Sequence, residues 1–405
     1  MNTALLRTNR NFRNLWLSGV ITGLGSFATY VAMPYQIAEI TGSYVAVGVL
    51  GLTEVVPIIV FGLWGGVIAD RFDRRTVVVR TELALLLLAL VLLVNSQLSS
   101  PHVWVIYVVS AMFAAVDGIQ RPSLDAMLPR VVEPADLPAA SALRTLRGNI
   151  AHVAGPALGG VLIAIGGVSV AYSFDALSFI ASTYFLLRIS RIPSQREVLE
   201  HPLKELRSAF AYLRTRKDII GTYVADTIAM VLTFPFALFP FIVDEYDAPW
   251  ALGFLYSSLA VGSLLATVTS GWTTRVHRHG RAVVLAAGSW GAAICLAGLV
   301  KDIRWMLFFL VIAGAADMMS GLFRSLIWDL TIPDDLRGRM AGLELLSYGV
   351  GPQLGQVRSS LTARWTSIQS SLIIGGAACV GSMGVLGSAM PALWHFDAKP
   401  STSDG

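Results

Sequence analysis

Long apolar stretches recur along nearly the whole chain, and this feature constrains the fold more than any other. Twelve such stretches can be placed, at about 14–35, 45–69, 76–95, 103–121, 140–166, 168–188, 219–243, 250–273, 282–300, 304–326, 340–362 and 370–394. A helix that crosses a membrane needs about 20 predominantly apolar residues. The sequence therefore predicts an all-α integral membrane protein with twelve transmembrane helices, which we number spans 1 to 12.

The composition excludes most other classes of protein. Hydrophobic residues make up 55% of the 405 residues and charged residues 14%, whereas an average soluble protein has about 25% charged residues. A mean hydropathy of +0.65 argues against a disordered chain, a disulfide scaffold or a cytosolic enzyme. The two cysteines, Cys295 and Cys379, lie in apolar stretches and are expected to be buried hydrophobic residues.

The basic residues indicate the orientation in the membrane. With the N-terminus inside, 26 of the 30 Lys and Arg residues fall in or beside cytoplasmic segments. Such an excess of basic residues sets the orientation of membrane proteins. We therefore expect a multi-pass protein of the plasma (inner) membrane with both termini in the cytoplasm. The net charge of +4 reflects this topology, and no nucleic acid partner is expected.

The longest polar interruption divides the spans into six and six. We predict an N-terminal half over 1–190, a cytoplasmic linker with an interfacial helix over 191–217, a C-terminal half over 218–394 and a cytoplasmic tail over 395–405.

A weak internal repeat supports two related halves. Asp117 and Asp317 are 200 residues apart in similar contexts, and residues 155–156 and 351–352 both read Gly-Pro. Two six-helix halves related in this way are the architecture of the major facilitator superfamily, in which the substrate path lies between the halves.

The loop between spans 2 and 3 resembles the signature cytoplasmic loop of that superfamily. Its motif residues are Gly66, Asp70, Arg71, Arg74 and Arg75. The resemblance implies a gate in which Asp70 lies near the positively polarised N-terminus of span 11, and Arg74 and Arg75 pair with Asp117. Asp317 and Arg324 are expected to form the counterpart in the second half. The alternative interpretation is that the basic residues only follow the basic-inside bias.

Span 5 contains Gly148, Gly155, Pro156, Gly159 and Gly160. This pattern resembles the antiporter motif of superfamily exporters. Small residues at four-residue intervals let helices approach closely, and a proline inside a helix removes a hydrogen bond and permits a bend. The resemblance implies export, and helix packing alone is the alternative interpretation.

Four further strings extend the resemblance over nearly the whole chain. They are Ala-Met-Pro-Tyr-Gln-Ile at 32–37, Glu-His-Pro-Leu-Lys at 200–204, Gly-Phe-Leu-Tyr at 253–256 and Arg-Gly-Arg-Met-Ala-Gly at 337–342. Together they are similar to the enterobactin exporter family, which implies proton-driven export of a catechol siderophore. Macrolide-type drug exporters share part of the pattern, so a multidrug proton antiporter is the alternative.

Four of the carboxylates within the predicted spans require an explanation: Glu54, Asp175, Asp226 and Glu344. Ionisable residues at membrane depth are costly and mark functional sites. Burial favours the protonated form of a carboxyl group, which suits it to pick up and release a proton. We predict proton coupling at these positions, with Asp226 the first candidate and Glu54 the second. Structural ion pairs are the alternative.

Aromatic and basic residues supply candidates for a substrate cavity. They are Tyr30, Tyr35, Phe234, Tyr256, Arg144 and Arg147. Aromatic faces suit a ring-bearing substrate, but lipid-facing aromatic belts have the same sequence signature. Arg144 and Arg147 lie on one face of span 5. They can bind an anionic substrate, pair with Asp117 or anchor the span at the interface. His152 is interpreted as a proton relay or as a hydrogen-bonded packing residue.

The sequence contains no phosphate-binding Gly-rich loop, no nucleophile elbow and no metal-binding motif. We therefore predict no enzyme activity, no cofactor and no bound metal. The favoured interpretation is a monomeric secondary transporter in the lipid bilayer. It exports a siderophore-like or other amphiphilic small molecule, with protons as the coupling ion. A nutrient importer and a non-transporting membrane receptor remain as alternatives.

Overall fold

The structure is a computed structural model that describes residues 4–190 and 210–397. The side chains of residues 63, 66–70, 334–335, 337–339 and 341–346 lie outside that description. Within it, the regular elements are α-helices and short 3-10 turns. The predicted all-helical fold class is confirmed. A helix satisfies its backbone hydrogen bonds internally, as the interior of a bilayer requires.

The first six spans begin after a short helix, Ala4–Thr8. Their bounds are Arg10–Thr41, Tyr44–Arg71, Arg74–Ser96 and Val103–Val131 for spans 1 to 4, and Leu137–Leu187 for spans 5 and 6 together. Gly166 and Gly167 have non-helical backbone angles and separate span 5 from span 6. Gly167 has a φ of 72°, a left-handed conformation that glycine adopts without the steric cost of a Cβ.

The second six spans begin at Lys217. Span 7 comprises Lys217–Thr233 and Phe239–Glu245, joined by a 3-10 turn; spans 8 to 12 are Leu252–Val268, His279–Leu299, Ile303–Thr331, Asp334–Trp365 and Ile368–Ala389, and a short helix, Pro391–Trp394, follows.

Side chains from other spans brace the break in span 7. The helix ends at Thr233 because Phe234 is extended and residue 235 is a proline. The carbonyl of Leu232 accepts a hydrogen bond from Arg358, and the indole of Trp290 donates to the hydroxyl of Thr233. A backbone carbonyl that has lost its helical donor is thereby satisfied inside the protein.

Ten helical ranges in the described part of the chain are long and apolar enough to cross a membrane. One of them, Pro134–Leu187, contains both span 5 and span 6. Span 11, Asp334–Trp365, is not among the ten, and it buries Gln353 and Gln356 against protein. The described helices therefore agree with twelve spans.

The chain divides into two compact units. Unit 1 comprises Met1–Pro202 and Phe239–Ser257, and unit 2 comprises Leu203–Leu238 and Ser258–Gly405. This division differs in one segment from the halves predicted from the sequence. The segment Phe239–Ser257, which contains the end of span 7 and the start of span 8, belongs to unit 1.

Direct contacts explain why the segment Phe239–Ser257 belongs to unit 1. The hydroxyl of Ser257 donates to the carbonyl of Val153 in span 5 at 2.7 Å. The rings of Tyr44 and Phe241 meet edge to face, with centroids 4.4 Å apart. The segment is therefore held to spans 5 and 2 by a hydrogen bond and an aromatic contact.

The antiporter-like glycines of span 5 pack closely inside unit 1. A Cβ added to Gly155 would lie 2.5 Å from the Cβ of Phe27, and one added to Gly160 would lie 2.5 Å from the backbone nitrogen of Gly253. Gly148 differs, because a Cβ there would meet nothing within 4 Å. Three of these residues are buried together with Pro156: Gly155, Gly159 and Gly160. The packing role of the motif is thus visible at its C-terminal end and absent at Gly148.

We predict opposite effects for two alanine substitutions in span 5. Gly160→Ala forces its new methyl group into the backbone of Gly253 and should lower the free energy of unfolding by about 1–3 kcal/mol, as overpacking does. Gly148→Ala is the matched control, and it should be neutral or stabilising by about 0.5–1 kcal/mol because alanine favours the helix. Thermal unfolding of the purified protein in detergent measures both. Equal melting temperatures for the two variants would contradict the close approach.

Candidate functional site

A group of aromatic and polar side chains lies inside unit 1, where spans 1, 2 and 4 meet the segment Phe239–Ser257. We call it the aromatic site. Its members are Tyr30, Glu54, Ser110, Phe239 and Tyr256.

Ring contacts organise the aromatic site. Tyr256 meets Tyr30 edge to face at 6.2 Å between centroids and meets Phe239 edge to face at 4.9 Å. This is the geometry that aromatic pairs prefer. Tyr256 is buried, whereas Tyr30 is half-buried. Two of the predicted cavity residues, Tyr30 and Tyr256, are therefore brought together by the fold.

One carboxylate accompanies these rings. Glu54 in span 2 is half-buried and accepts a hydrogen bond from the hydroxyl of Ser110 in span 4. The phenol of Tyr30 lies within the electrostatic range of this carboxylate. The second proton-coupling candidate thus lies beside the predicted aromatic residues.

His152 lies next to the aromatic site on span 5. Its ring packs against Phe27, with centroids 4.5 Å apart, and its Nδ1 is 2.9 Å from the carbonyl oxygen of Gly148. Phe27 in turn contacts Tyr30 at 6.3 Å. The side chain is nevertheless exposed, so these contacts cover only part of the ring.

A second group of unit 1, which we call the acid pair, consists of Glu82 in span 3 and Asp175 in span 6. Glu82 is 3% exposed and Asp175 is fully buried. The hydroxyl of Thr22 lies 3.3 Å from both carboxylate oxygens of Glu82, and the amide of Gln120 lies 3.4 Å from one of them. These partners come from spans 1 and 4.

Asp175 has its own hydroxyl partners. Thr29 in span 1 donates to it at 2.6 Å, and Ser178 donates at 3.3 Å. Among the described side chains, neither Asp175 nor Glu82 forms an ion pair with a basic residue. Two carboxyl groups are therefore buried in one unit with hydroxyl and amide partners and, in the described part of the chain, without a paired cation.

Sequence reasoning identified Asp175 and missed Glu82. Glu82 stands two residues after Arg80, near the start of an apolar run, where a charged residue is ordinarily interfacial. Arg80 is exposed in the structure, whereas Glu82 points into the unit. The available signal was helical periodicity, since Glu82 lies on the same helix face as the buried Val78 and Leu85.

Unit 2 contains a charged cluster formed by Asp226, Asp317, Arg324 and Ser347. Asp226 in span 7 and Arg324 in span 10 form an ion pair of 2.6 Å, and their side chains are 3% and 11% exposed. Ser347 in span 11 donates to Asp226 at 2.9 Å. Asp317 lies within the electrostatic range of both charged partners. The fold thus joins the first proton-coupling candidate to the two residues expected to form the second gate.

The predicted pairing of Arg74 and Arg75 with Asp117 is not what the structure shows. Arg74 donates to the carbonyl of Ala126 at 3.2 Å. Arg75 donates to the carbonyls of Leu186 and Leu187, at 3.1 and 2.5 Å. The carbonyls of Leu186 and Leu187 lie at the end of span 6. The last turn of a helix has carbonyls without donors and favours a cation.

Asp117 has a different environment from the one expected. It is exposed, and the charged residues near it in the described part of the chain are Arg121 and Asp125. Arg144, another expected partner of Asp117, forms an exposed ion pair with Asp125 at 2.7 Å. Arg147 packs over Gly19 of span 1.

The remaining candidates are dispersed. Tyr35 is half-buried, with Glu39 and Asp244 as its charged neighbours. Phe234 lies in unit 2, where its ring contacts Phe236 at 4.3 Å. Arg71 is exposed. The surroundings of Gly66 and the side chains of Asp70 and Glu344 lie outside the description. So does most of the expected interfacial helix, of which residues 210–215 are described and helical.

No metal centre is evident in the described ranges, 4–190 and 210–397, because no group of three or more His, Cys, Asp or Glu side chains is placed to hold an ion. The two cysteines, Cys295 and Cys379, are free thiols.

Apolar helices of membrane length with buried charged and aromatic groups define a multi-pass membrane protein. Comparison with solved structures supports this fold. The fold is similar to that of a crystal structure of a mutant nucleoside transporter NupG, with a TM-score of 0.77 at 13% identity over 95% of this chain and 100% of that one. At this identity the likeness concerns the fold alone.

The chain belongs to the transmembrane secretion effector family, a family of major facilitator transporters, which it matches over residues 3–403. It is 28% identical to a protein named enterobactin exporter EntS from Shigella dysenteriae serotype 1, over 99% of this chain and 96% of that protein. It is also 28% identical to the EntS of Citrobacter koseri, over 100% and 98% of the two chains. The protein is a transporter and not an enzyme.

We predict that Asp226→Asn destabilises the protein, because it leaves the buried guanidinium of Arg324 without its ion-pair partner. Breaking a buried pair on one side costs about 3–5 kcal/mol. Asp125→Asn removes an exposed pair and should cost about 0–1 kcal/mol. Thermal unfolding in detergent compares them, and the double variant Asp226→Asn/Arg324→Gln should recover part of the loss. Similar melting temperatures for the two single variants would argue against a buried ion pair.

Proposed function

We propose that the chain is a proton-coupled exporter of a siderophore-like aromatic small molecule, located in the plasma (inner) membrane with both termini in the cytoplasm. It works by alternating access between two halves. The observation that carries this proposal is the similarity to proteins named enterobactin exporter, which extends over 99% of this chain.

The aromatic site supports a cargo with planar rings. Tyr30 is the half-buried ring of the group, and it packs against the buried Tyr256, which in turn contacts the buried Phe239. The accessible part of such an aromatic cluster can pair favourably with the rings of a cargo. The phenol groups and Glu54 can form hydrogen bonds with ring hydroxyls of the kind that catechols carry. A cargo that combines flat rings and hydroxyls fits these side chains better than a purely aliphatic one.

The acid pair supports coupling to protons. An ionised carboxylate buried without a cation is costly, and such a group is more stable as the neutral acid. Glu82 and Asp175 have hydroxyl partners that accept or donate according to the protonation state. When a conformational change brings water to these groups, ionisation becomes favourable and a proton is released. Alternating access then converts this release into directed transport.

Proton coupling at Asp226 would need a different step from the one proposed for the acid pair. Its ion pair with Arg324 stabilises the carboxylate, so protonation of Asp226 competes with pairing. Asp317 lies near the same guanidinium and can take over as its partner. We propose that a proton on Asp226 shifts Arg324 towards Asp317, which links protonation to a rearrangement of spans 7 and 10.

A multidrug proton antiporter is the second candidate, and the aromatic site also favours it. A carboxylate beside tyrosine rings attracts lipophilic cations through charge and cation–π interactions. Glu54 beside Tyr30 offers this combination.

Transport assays in proteoliposomes separate the two candidates. With an imposed proton gradient, we expect a catechol siderophore to move and a macrolide and a lipophilic cationic dye to remain. Tyr256→Leu should lower siderophore transport because it removes the central ring of the aromatic site, whereas Trp365→Leu, at an exposed helix end, should not. Movement of the dye and the macrolide without the siderophore would replace the siderophore proposal with the multidrug one.

Neutral variants test the coupling groups. In the same vesicles, Glu82→Gln and Asp175→Asn should each reduce gradient-driven transport to the level seen without a gradient, while counterflow at equal pH persists. Asp125→Asn, which alters an exposed carboxylate, serves as the control. If both buried-acid variants respond to the gradient as the natural chain does, coupling resides elsewhere, and Glu54→Gln and Asp226→Asn identify whether it lies at the other two carboxylates.

A further inference from the structure

An apolar groove lies on the surface of unit 2 between spans 9 and 12. Its volume is about 610 Å³, and its wall includes Gly288, Ala292, Met383, Gly384 and Trp394. This volume falls within the range of about 300–1,000 Å³ that is typical of small-molecule sites. The groove uses no residue of the aromatic site, the acid pair or the charged cluster.

The groove is open because two of the residues that line it are glycines. A Cβ added to Gly384 would meet nothing within 4 Å, and one added to Gly288 would meet only the Cβ of Met383, at 3.8 Å. One turn further along span 9 the two helices touch, since a Cβ on Gly291 would lie 2.7 Å from that of Cys379. The helices are therefore in close contact at one level and open at the next.

Apolar side chains flank the groove and point outward. Leu285 is 63% exposed, Val380 is 43% exposed and Val385 is 65% exposed. In a membrane-spanning protein such side chains face lipid tails, because water would make their exposure costly. The groove therefore opens towards the acyl region of the bilayer.

A cation with no ion-pair partner among the described residues lies at one end of the groove. The guanidinium carbon of Arg281 is 5.2 Å from the ring centroid of Trp394, which forms part of the wall. Arg281 is half-buried, and its Nε is buried without a hydrogen-bond partner. Among the described residues it forms no ion pair. A half-buried guanidinium with no anion of its own is a ready partner for one from outside.

We propose that this groove binds one anionic phospholipid, with an acyl chain along Gly288 and Gly384 and its phosphate on Arg281. Guanidinium groups match phosphate through paired hydrogen bonds, and tryptophan favours the level of the lipid headgroups. Arg275 and Arg278 precede span 9 and add positive charge at the same end, where anionic lipids are attracted. A headgroup cation and an apolar channel together fit a lipid better than a soluble anion or a protein segment.

Thermal unfolding of the full-length protein in a mild detergent tests the proposal. Phosphatidylglycerol and phosphatidylcholine with identical acyl chains are titrated in parallel, and inorganic phosphate is a third arm. We expect phosphatidylglycerol to raise the melting temperature at lower concentration than phosphatidylcholine. Arg281→Gln should raise the half-saturating concentration of phosphatidylglycerol by about tenfold, the scale of a hydrogen bond to a charged group. The exposed Arg304→Gln, next to the opposite end of span 9, should behave like the natural chain.

Filling the groove tests the acyl chain separately. Gly384→Leu places a side chain in open space, and it should abolish stabilisation by both lipids while leaving the lipid-free melting temperature close to that of the natural chain. Gly288→Val is a second groove-filling variant if the first does not fold. The proposal is overturned if the two lipids act equally on the natural chain, or if Arg281→Gln keeps the preference for phosphatidylglycerol. Stabilisation by phosphate alone, or unchanged lipid binding in both groove variants, also overturns it.

Discussion

The cost of an unsatisfied polar group in an apolar environment governs the structure of this protein. Two solutions occur among the buried carboxyl groups of Asp175, Asp226 and Glu82. Arg324 and Asp226 neutralise each other by direct contact, whereas Asp175 and Glu82 have only hydroxyl and amide partners in the described part of the chain. The first solution pairs two opposite charges directly, and the second surrounds a carboxyl group with neutral hydrogen-bonding partners. The two units thus hold buried carboxyl groups of different chemical character, and this difference underlies the proposed coupling. Arg358 shows the same constraint, because it satisfies a backbone carbonyl freed by the break in span 7.

Glycine positions decide where the helices touch and where they separate. At Gly160 the lack of a side chain allows backbone contact with Gly253 and ties the segment Phe239–Ser257 to unit 1. At Gly384 the same lack of a side chain faces open space and forms a groove. In lipid, helix association depends on such close packing more than on hydrophobic burial. A glycine therefore either permits close helix packing or leaves a groove, depending on whether another part of the protein lies opposite it.

The fold indicates the general architecture of the transporter, whereas individual side chains determine which cargo and which coupling ion it uses. Similarity to a nucleoside transporter at 13% identity shows the architecture, and one architecture serves many cargoes. Cargo and coupling depend on side chains, and we propose that these are the aromatic site of unit 1 and the buried carboxyl groups of both units. The family assignment makes the chain a transporter of the major facilitator type, and the proposal of an aromatic cargo rests on the aromatic site.

Sequence alone determined the class of fold, because apolar runs of membrane length are a local signal that one stretch of chain carries by itself. It also located Asp175 and Asp226, since a carboxylate within such a run stands out from its neighbours. Only the tertiary structure decided the partners. The contacts of Arg324 with Asp226, of Arg75 with Leu186 and of Glu82 with Thr22 join residues far apart in sequence. Burial of Glu82 depends on helices from other parts of the chain, so its own sequence neighbourhood could not reveal it.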